Sequence, residues 1–123
     1  MTDADRQQRG REIAEAYFGD DVPDAWREIS QDLAELTESA AFGAIWTRPG
    51  LGLRDRALLA VGMTAAIGAQ PQLAWHTRGA LRAGLTPTEI REAVIQVVGF
   101  AGFPAAWNAM CTIAPILAAH EGA

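Results

Sequence analysis

Only one histidine lies away from the chain ends, His76, and its imidazole titrates near neutrality, where it can donate or accept a proton. Gln72 sits one helical turn before it, on the same face if the segment is helical. Upstream, Trp46 is followed by Arg48, Arg54 and Arg56, which flank a loop leading into an apolar run. Arginine at the start of a helix opposes the local dipole, so these residues gain a purpose if an anion binds among them. Trp, clustered Arg and one His between residues 46 and 86 suit a small pocket for an anionic organic molecule. Each residue also has a purely structural reading. His76 is equally a hydrogen-bonded histidine inside a helix bundle, Trp46 a core aromatic, and Arg54-Asp55-Arg56 a solvated helix start. His120, three residues from the end, reads as solvated and idle. Trp75 points to a different face from His76 and reads as packing or interface. Arg78 and Arg82, an i,i+4 pair, read as surface, and Trp26 and Trp107 as core or interface aromatics.

Composition narrows the chemistry. The cations are ten arginines with no lysine, so Schiff-base chemistry on a side-chain amine is excluded and anion recognition falls to guanidinium groups. Fifteen acidic residues bring the net charge to −5, which argues against a nucleic-acid partner. Cys111 is the only cysteine, so neither an internal disulfide nor a Cys-x-x-Cys redox pair is available. In its apolar setting it is expected to be a buried small hydrophobe. Two widely spaced histidines and no cysteine pair do not make a metal site, and no metal is expected. A phosphate loop, a Gly-x-Ser-x-Gly elbow and a dinucleotide fingerprint are all missing. The charged start Met1-Thr2-Asp3-Ala4-Asp5-Arg6 has no apolar signal core, and a cytoplasmic location is expected.

The elements that must position these residues read as helices almost throughout, in one domain over 1–123. A first helix covers about 4–18 and stops near Gly19-Asp20. A second covers about 24–42, with Ala25, Ile29, Leu33, Leu36 and Ala40 predicted to form its buried face. Residues 46–53, with Pro49, Gly50 and Gly52, are loop. A third helix, about 54–68, is apolar on all sides after Arg56 and is expected to be central. A fourth covers about 71–83, with Gly84 as its terminating glycine. Thr86-Pro87-Thr88-Glu89 starts a fifth over about 87–101: Thr86 can cap, Pro87 fits the first turn and Glu89 can close a capping box. A sixth runs from Pro104 to about 119. Residues 93–119 are long and apolar enough to raise a membrane span, but Pro104 and Pro115 interrupt them. Two buried helices joined at Gly102-Phe103-Pro104 are the expectation, with no membrane partner. The expected class is therefore all-α, a six-helix antiparallel bundle. Helices three, five and six are too apolar all round for one small domain to bury, so a homo-oligomer is expected.

Taken in order, Trp46-Thr47-Arg48-Pro49-Gly50-Leu51, Arg56-Ala57-Leu58, the run from His76 to Thr86, Glu89-Ile90 and Gly102-Phe103-Pro104-Ala105-Ala106 resemble the carboxymuconolactone decarboxylase family. That family lies within the wider AhpD-like superfamily, and the likeness spans about residues 10–119. The resemblance implies an AhpD-like all-helical fold, trimers or hexamers, and no cofactor. Two departures sort its branches. The peroxidase branch has a Cys-x-x-Cys before the histidine and a relay glutamate near the start of the central helix. Those positions here are Ala69, Gln72 and Ala57, so thiol peroxidase activity is not expected. The decarboxylase branch usually has glutamate where this chain has Gln72 and tyrosine where it has Phe100. An amide can orient a substrate but cannot exchange a proton.

The resemblance implies a cofactor-free decarboxylase acting on a small unsaturated carboxylated lactone like 4-carboxymuconolactone. His76 would be its general acid, and Trp46, Arg48, Arg56 and Gln72 would contact substrate. Arginine belongs on the lactone carbonyl or a second carboxylate, because tight binding of the departing carboxylate would stabilise the ground state. Gln72 and Phe100 leave two alternatives open: isomerisation, dehydration or cyclisation of an enol or lactone without loss of CO₂, and a non-catalytic oligomer that binds a small acid.

Overall fold

The computed structural model describes residues 1–123 and is helical, without strands. It divides into two units, Met1–Leu53 and Arg54–Ala123.

In the first unit, helix α1 (Asp3–Phe18) opens with a capping box. Thr2 Oγ1 accepts the Asp5 N–H and the Asp5 carboxylate accepts the Thr2 N–H, satisfying two helix-end donors. Gly19, at φ 91°, ends the helix. The expected second helix is broken in two. Helix α2 (Asp21–Ile29) stops at Ser30, whose extended backbone lets its hydroxyl accept the Leu33 N–H and start α3 (Gln31–Leu36). The chain then widens into a π-helical turn, Thr37–Phe42. The predicted buried face is corrected as well. Ile29, Leu33 and Leu36 are exposed, and Ala34, Glu38 and Phe42 are buried instead. The reason is the register shift that Ser30 and the π turn impose on a stripe read as one straight helix.

Helix α1 lies directly on the π turn. The approach is close enough that a Cβ on Gly10 would fall 1.7 Å from the Glu38 carbonyl oxygen. Around this contact Tyr17, Phe18, Trp26, Phe42 and Trp46 form an aromatic cluster. Glu38 is fully buried, and its Oε2 accepts a hydrogen bond from Arg27 Nη2.

In the second unit, α4 (Leu53–Ile67) buries Ala57, Val61 and Ala65 along one stripe. Its other side leaves Leu58, Leu59, Met63 and Ile67 exposed, so within one chain α4 is not the surrounded central helix expected of it. Gly68, at φ 73°, turns the chain into α5 (Gln70–Arg82), which carries Pro71 in its first turn. Thr86 and Glu89 form the predicted capping box at the start of α6 (Pro87–Gln96). The expected helix over 87–101 is split: α6 ends at Gln96, and a single turn, α7 (Val98–Ala101), leads to Gly102 at φ 89°. Helix α8 (Phe103–Glu121) continues through Pro115, and α5, α6 and α7 pack against it. Ile90, Val94, Ile113 and Leu117 are fully buried. Cys111 is exposed, not buried, and Trp107 is 67% exposed, so it is no core residue. Both lie on the outer face of α8, opposite the Ala106, Ala109, Ile113 stripe. No helix is long and apolar enough to cross a membrane.

Candidate active site

Within the second unit, α5 carries two of the residues expected at the site, Gln72 and His76. Its buried stripe, Leu73, Thr77 and Ala80, sets the helix rotation. The buried Thr77 hydroxyl donates to the Leu73 carbonyl, so it is satisfied inside its own helix. This rotation leaves His76 half-buried at the edge of the stripe and Gln72 exposed one turn earlier. Burial holds the His76 imidazole well below its ordinary pKa, at about 4. At neutral pH the side chain in the ligand-free chain is therefore neutral. It is ready to accept a proton, but it must first be charged before it can donate one.

The three arginines differ. Arg56 is half-buried in the first turn of α4, with its Nε shielded from solvent. Arg54 is tied to α6, its Nη2 donating to both carboxylate oxygens of Glu89. The Arg54 guanidinium and the Thr86 N–H hold the Glu89 carboxyl below its usual range. Arg48 belongs to the first unit, where it is exposed in the turn after the π segment and its N–H bonds the Ile45 carbonyl. Trp46 is also a first-unit residue. It stacks on Phe42 with ring centroids 5.1 Å apart and tilts against Tyr17 at 4.9 Å, which gives it a packing role there. Arg78, Arg82 and His120 are exposed, and Trp75 is half-buried. No three His, Cys, Asp or Glu side chains are grouped to hold a metal ion.

Two features were not legible in the sequence. One is the buried Glu38, which carries no pattern of its own in a run of polar and small residues. The other is a cavity of about 230 Å³ where the α4–α5 turn meets α8, bordered by Thr64, Gly68, Gln70, Leu73 and Asn108. Alanines at 65, 66, 105 and 109 leave this space open, and small residues at helix contacts were its only signal.

The model of the "Carboxymuconolactone decarboxylase family" matches residues 31–112, which include Trp46, Arg48, Arg56, Gln72 and His76. The chain is 42% identical over 76 residues to a nitrosuccinic acid decarboxylase of Metarhizium robertsii, a match covering 62% of this chain and 53% of that protein. It is 29% identical over 114 residues to the 4-carboxymuconolactone decarboxylase of Acinetobacter baylyi, covering 89% of this chain and 85% of that one. An uncharacterized 15.0 kDa protein of Paracoccus denitrificans is 41% identical over 84 residues, or 67% and 60% of the two chains. The match thus spans about half the length of the Metarhizium relative and most of the Acinetobacter one. With the family model covering most of an all-helical chain, the protein belongs to the carboxymuconolactone decarboxylase family.

Proposed function

We propose that the protein is a decarboxylase of small acids whose departing carboxylate sits on a carbon attached to an electron-accepting group, which takes the electron pair left when CO₂ departs. The observation that carries this reading is that two relatives named for different substrates, nitrosuccinic acid and 4-carboxymuconolactone, are both named for loss of CO₂. The reaction type is what they share. A nitro group and an unsaturated lactone carbonyl can each take the electron pair released when the carbon–carboxylate bond breaks.

The steps balance without a redox partner. The bond to the carboxylate breaks, CO₂ leaves, and the electron pair passes onto a nitro or carbonyl oxygen. The carbon then takes one proton. Arg56 is suited to the oxyanion, since a donor fixed in a partly dry setting stabilises charge that develops only in the transition state. His76 supplies the proton. Because burial keeps it neutral at rest, it must gain that proton as the anionic substrate arrives, when a nearby negative charge favours the imidazolium. Gln72, on the same face of α5, orients the substrate through its amide. For Trp46 and Arg48 substrate contact rests on the resemblance.

The test is CO₂ release and product formation from nitrosuccinate and from 4-carboxymuconolactone, with His76→Gln as control. Release that is lost in the variant supports the reading. Conversion of either compound without CO₂ overturns it in favour of isomerase, dehydratase or cyclase chemistry, and no conversion of either overturns it too.

A further inference from the structure

We propose that the cavity at the α4–α5 turn receives the oxygen-bearing, non-reacting end of the substrate, held by the side-chain amides of Gln70 and Asn108. This rests on the decarboxylase reading. The cavity measures about 230 Å³, room for roughly seven or eight water-sized groups at ~30 Å³ each. That is enough for part of a small acid, not for a large ligand. Its apolar wall is built from four alanines with Ile67 and Leu73, and no ionisable side chain lines it.

The polar atoms around it divide by role. The Thr64 hydroxyl donates to the Ala60 carbonyl at 2.6 Å, so toward the cavity it can only accept. Gln70 and Asn108 carry the side-chain donors, from the start of α5 and the second turn of α8. Amide donors suit a carboxylate, nitro or carbonyl oxygen and bring no countercharge. A site of this kind binds the surviving group without placing a cation beside the carboxylate that must leave.

Position links the cavity to the proton-transfer residue. Leu73 forms part of its wall, and His76 follows Leu73 by three residues on α5. Side chains at that spacing are neighbours on a helix surface, with ~4.5 Å of axial rise between them. A C4 acid anchored by one end in the cavity and extended along α5 therefore leads its other end toward His76. Gln70 and Asn108 become the residues that select chain length and end-group chemistry.

The experiment is steady-state CO₂ release from nitrosuccinate by the full chain. Asn108→Asp replaces an amide donor with a carboxylate facing the substrate's own, and it should raise KM by about tenfold or more, with kcat changed by less than about threefold. Ala105→Leu, which fills the cavity, should also raise KM. Unchanged KM in both variants, with wild-type circular dichroism, overturns the inference and leaves the decarboxylase reading intact. Should Asn108→Asp fail to fold, Gln70→Glu at an exposed position gives the same readout. If the wild type releases no CO₂, the decarboxylase reading falls by itself. The cavity is then read from the side-chain amide NMR signals of Gln70 and Asn108 during titration with succinate. Saturable shifts of both support an oxygen-anion site, and their absence overturns it.

Discussion

Arg54 and Glu89 join α4 to α6 through an ion pair in which one guanidinium nitrogen reaches both carboxylate oxygens, while Glu89 also closes the α6 capping box. Arg54, in the first turn of α4, is exposed and held in this bridge. Arg56, two residues on, is the more buried of the two, and on that ground it is the one proposed for the oxyanion.

This division predicts opposite outcomes at neighbouring positions. Arg56→Ala should lower kcat by about 10²–10³, the usual loss for one oxyanion donor. Arg54→Ala should leave kcat within a few-fold. Thr86→Ala, which removes the other half of the capping box, should cost about 1 kcal/mol of stability without touching turnover. Urea unfolding and initial rates on the same preparations check all three.

The depressed pKa of His76 has consequences for pH. If its protonated form is the acid, kcat/KM, which reports the free enzyme, should fall about tenfold per unit as pH rises above about 4. The profile of kcat should break at a higher pH, because bound substrate raises the pKa. A flat kcat/KM between pH 5 and 8 would assign the proton to another source. Stability follows the same group with the opposite sign. The unfolded chain takes up the proton near its ordinary value and the folded chain only near 4, so stability is fully present above about 6.5. It declines as pH falls through this window, by up to roughly 3 kcal/mol. Urea midpoints of wild type and His76→Gln, compared from pH 7 to 4, isolate that contribution.

Helix ends were the most legible part of the sequence. Thr86, Pro87 and Glu89 announced the start of α6, and Gly84, at φ 102°, ended the α5 segment as its position implied. Such signals are local, since each rests on one side chain meeting a nearby backbone group. Over 24–42 the sequence looks like one helix because Ile29, Leu33 and Leu36 keep helical spacing across a break that only the extended backbone of Ser30 reveals. His76 and Gln72 could be placed on one face from spacing alone. The burial that lowers the His76 pKa, and the cavity left by Ala65, Ala105 and Ala109, depend on packing between distant segments, which spacing along one segment does not encode.

The buried pair in the first unit should behave asymmetrically. Glu38 is fully buried and Arg27 is the charged partner that compensates it, with 16% of its side chain exposed. Arg27→Ala leaves a carboxylate in the dry interior and is expected to destabilise by about 3–5 kcal/mol. Arg27→Met combined with Glu38→Leu removes both charges while keeping volume, and should recover most of that loss. A double-mutant cycle in urea separates the pair's coupling from the desolvation of Glu38.

Gly10 is fixed by sterics rather than by backbone conformation. Its added Cβ would meet the Glu38 carbonyl at 1.7 Å, and that oxygen belongs to the backbone of the π turn, so it cannot yield as a side chain would. Gly10→Ala should therefore destabilise strongly, by several kcal/mol, despite the gain in helix propensity. Gly62→Ala, where nothing lies within 4 Å of the added carbon, should instead be neutral or stabilising by up to about 1 kcal/mol. Thermal melts of the two variants, compared side by side, test whether close approach or propensity decides.

Self-association is the remaining expectation that the apolar surface makes measurable. Leu58, Leu59 and Met63 of α4 border one groove with Ala93 and Val97, and Phe100 stands at its end 84% exposed. A contiguous apolar surface of this kind is uncommon on a soluble monomer. Phe100→Glu adds a charge at a position that contributes little to the fold of a single chain, because so little of the side chain is buried. Light scattering should give the wild type a mass at a multiple of 13.1 kDa, and Phe100→Glu should shift it toward the monomer with an unchanged far-ultraviolet spectrum. A wild-type mass of one chain at tens of micromolar would reject self-association. An unaltered oligomer in Phe100→Glu would move the interface to another face, where Phe103 and Trp107, 66% and 67% exposed on α8, are the next residues to substitute.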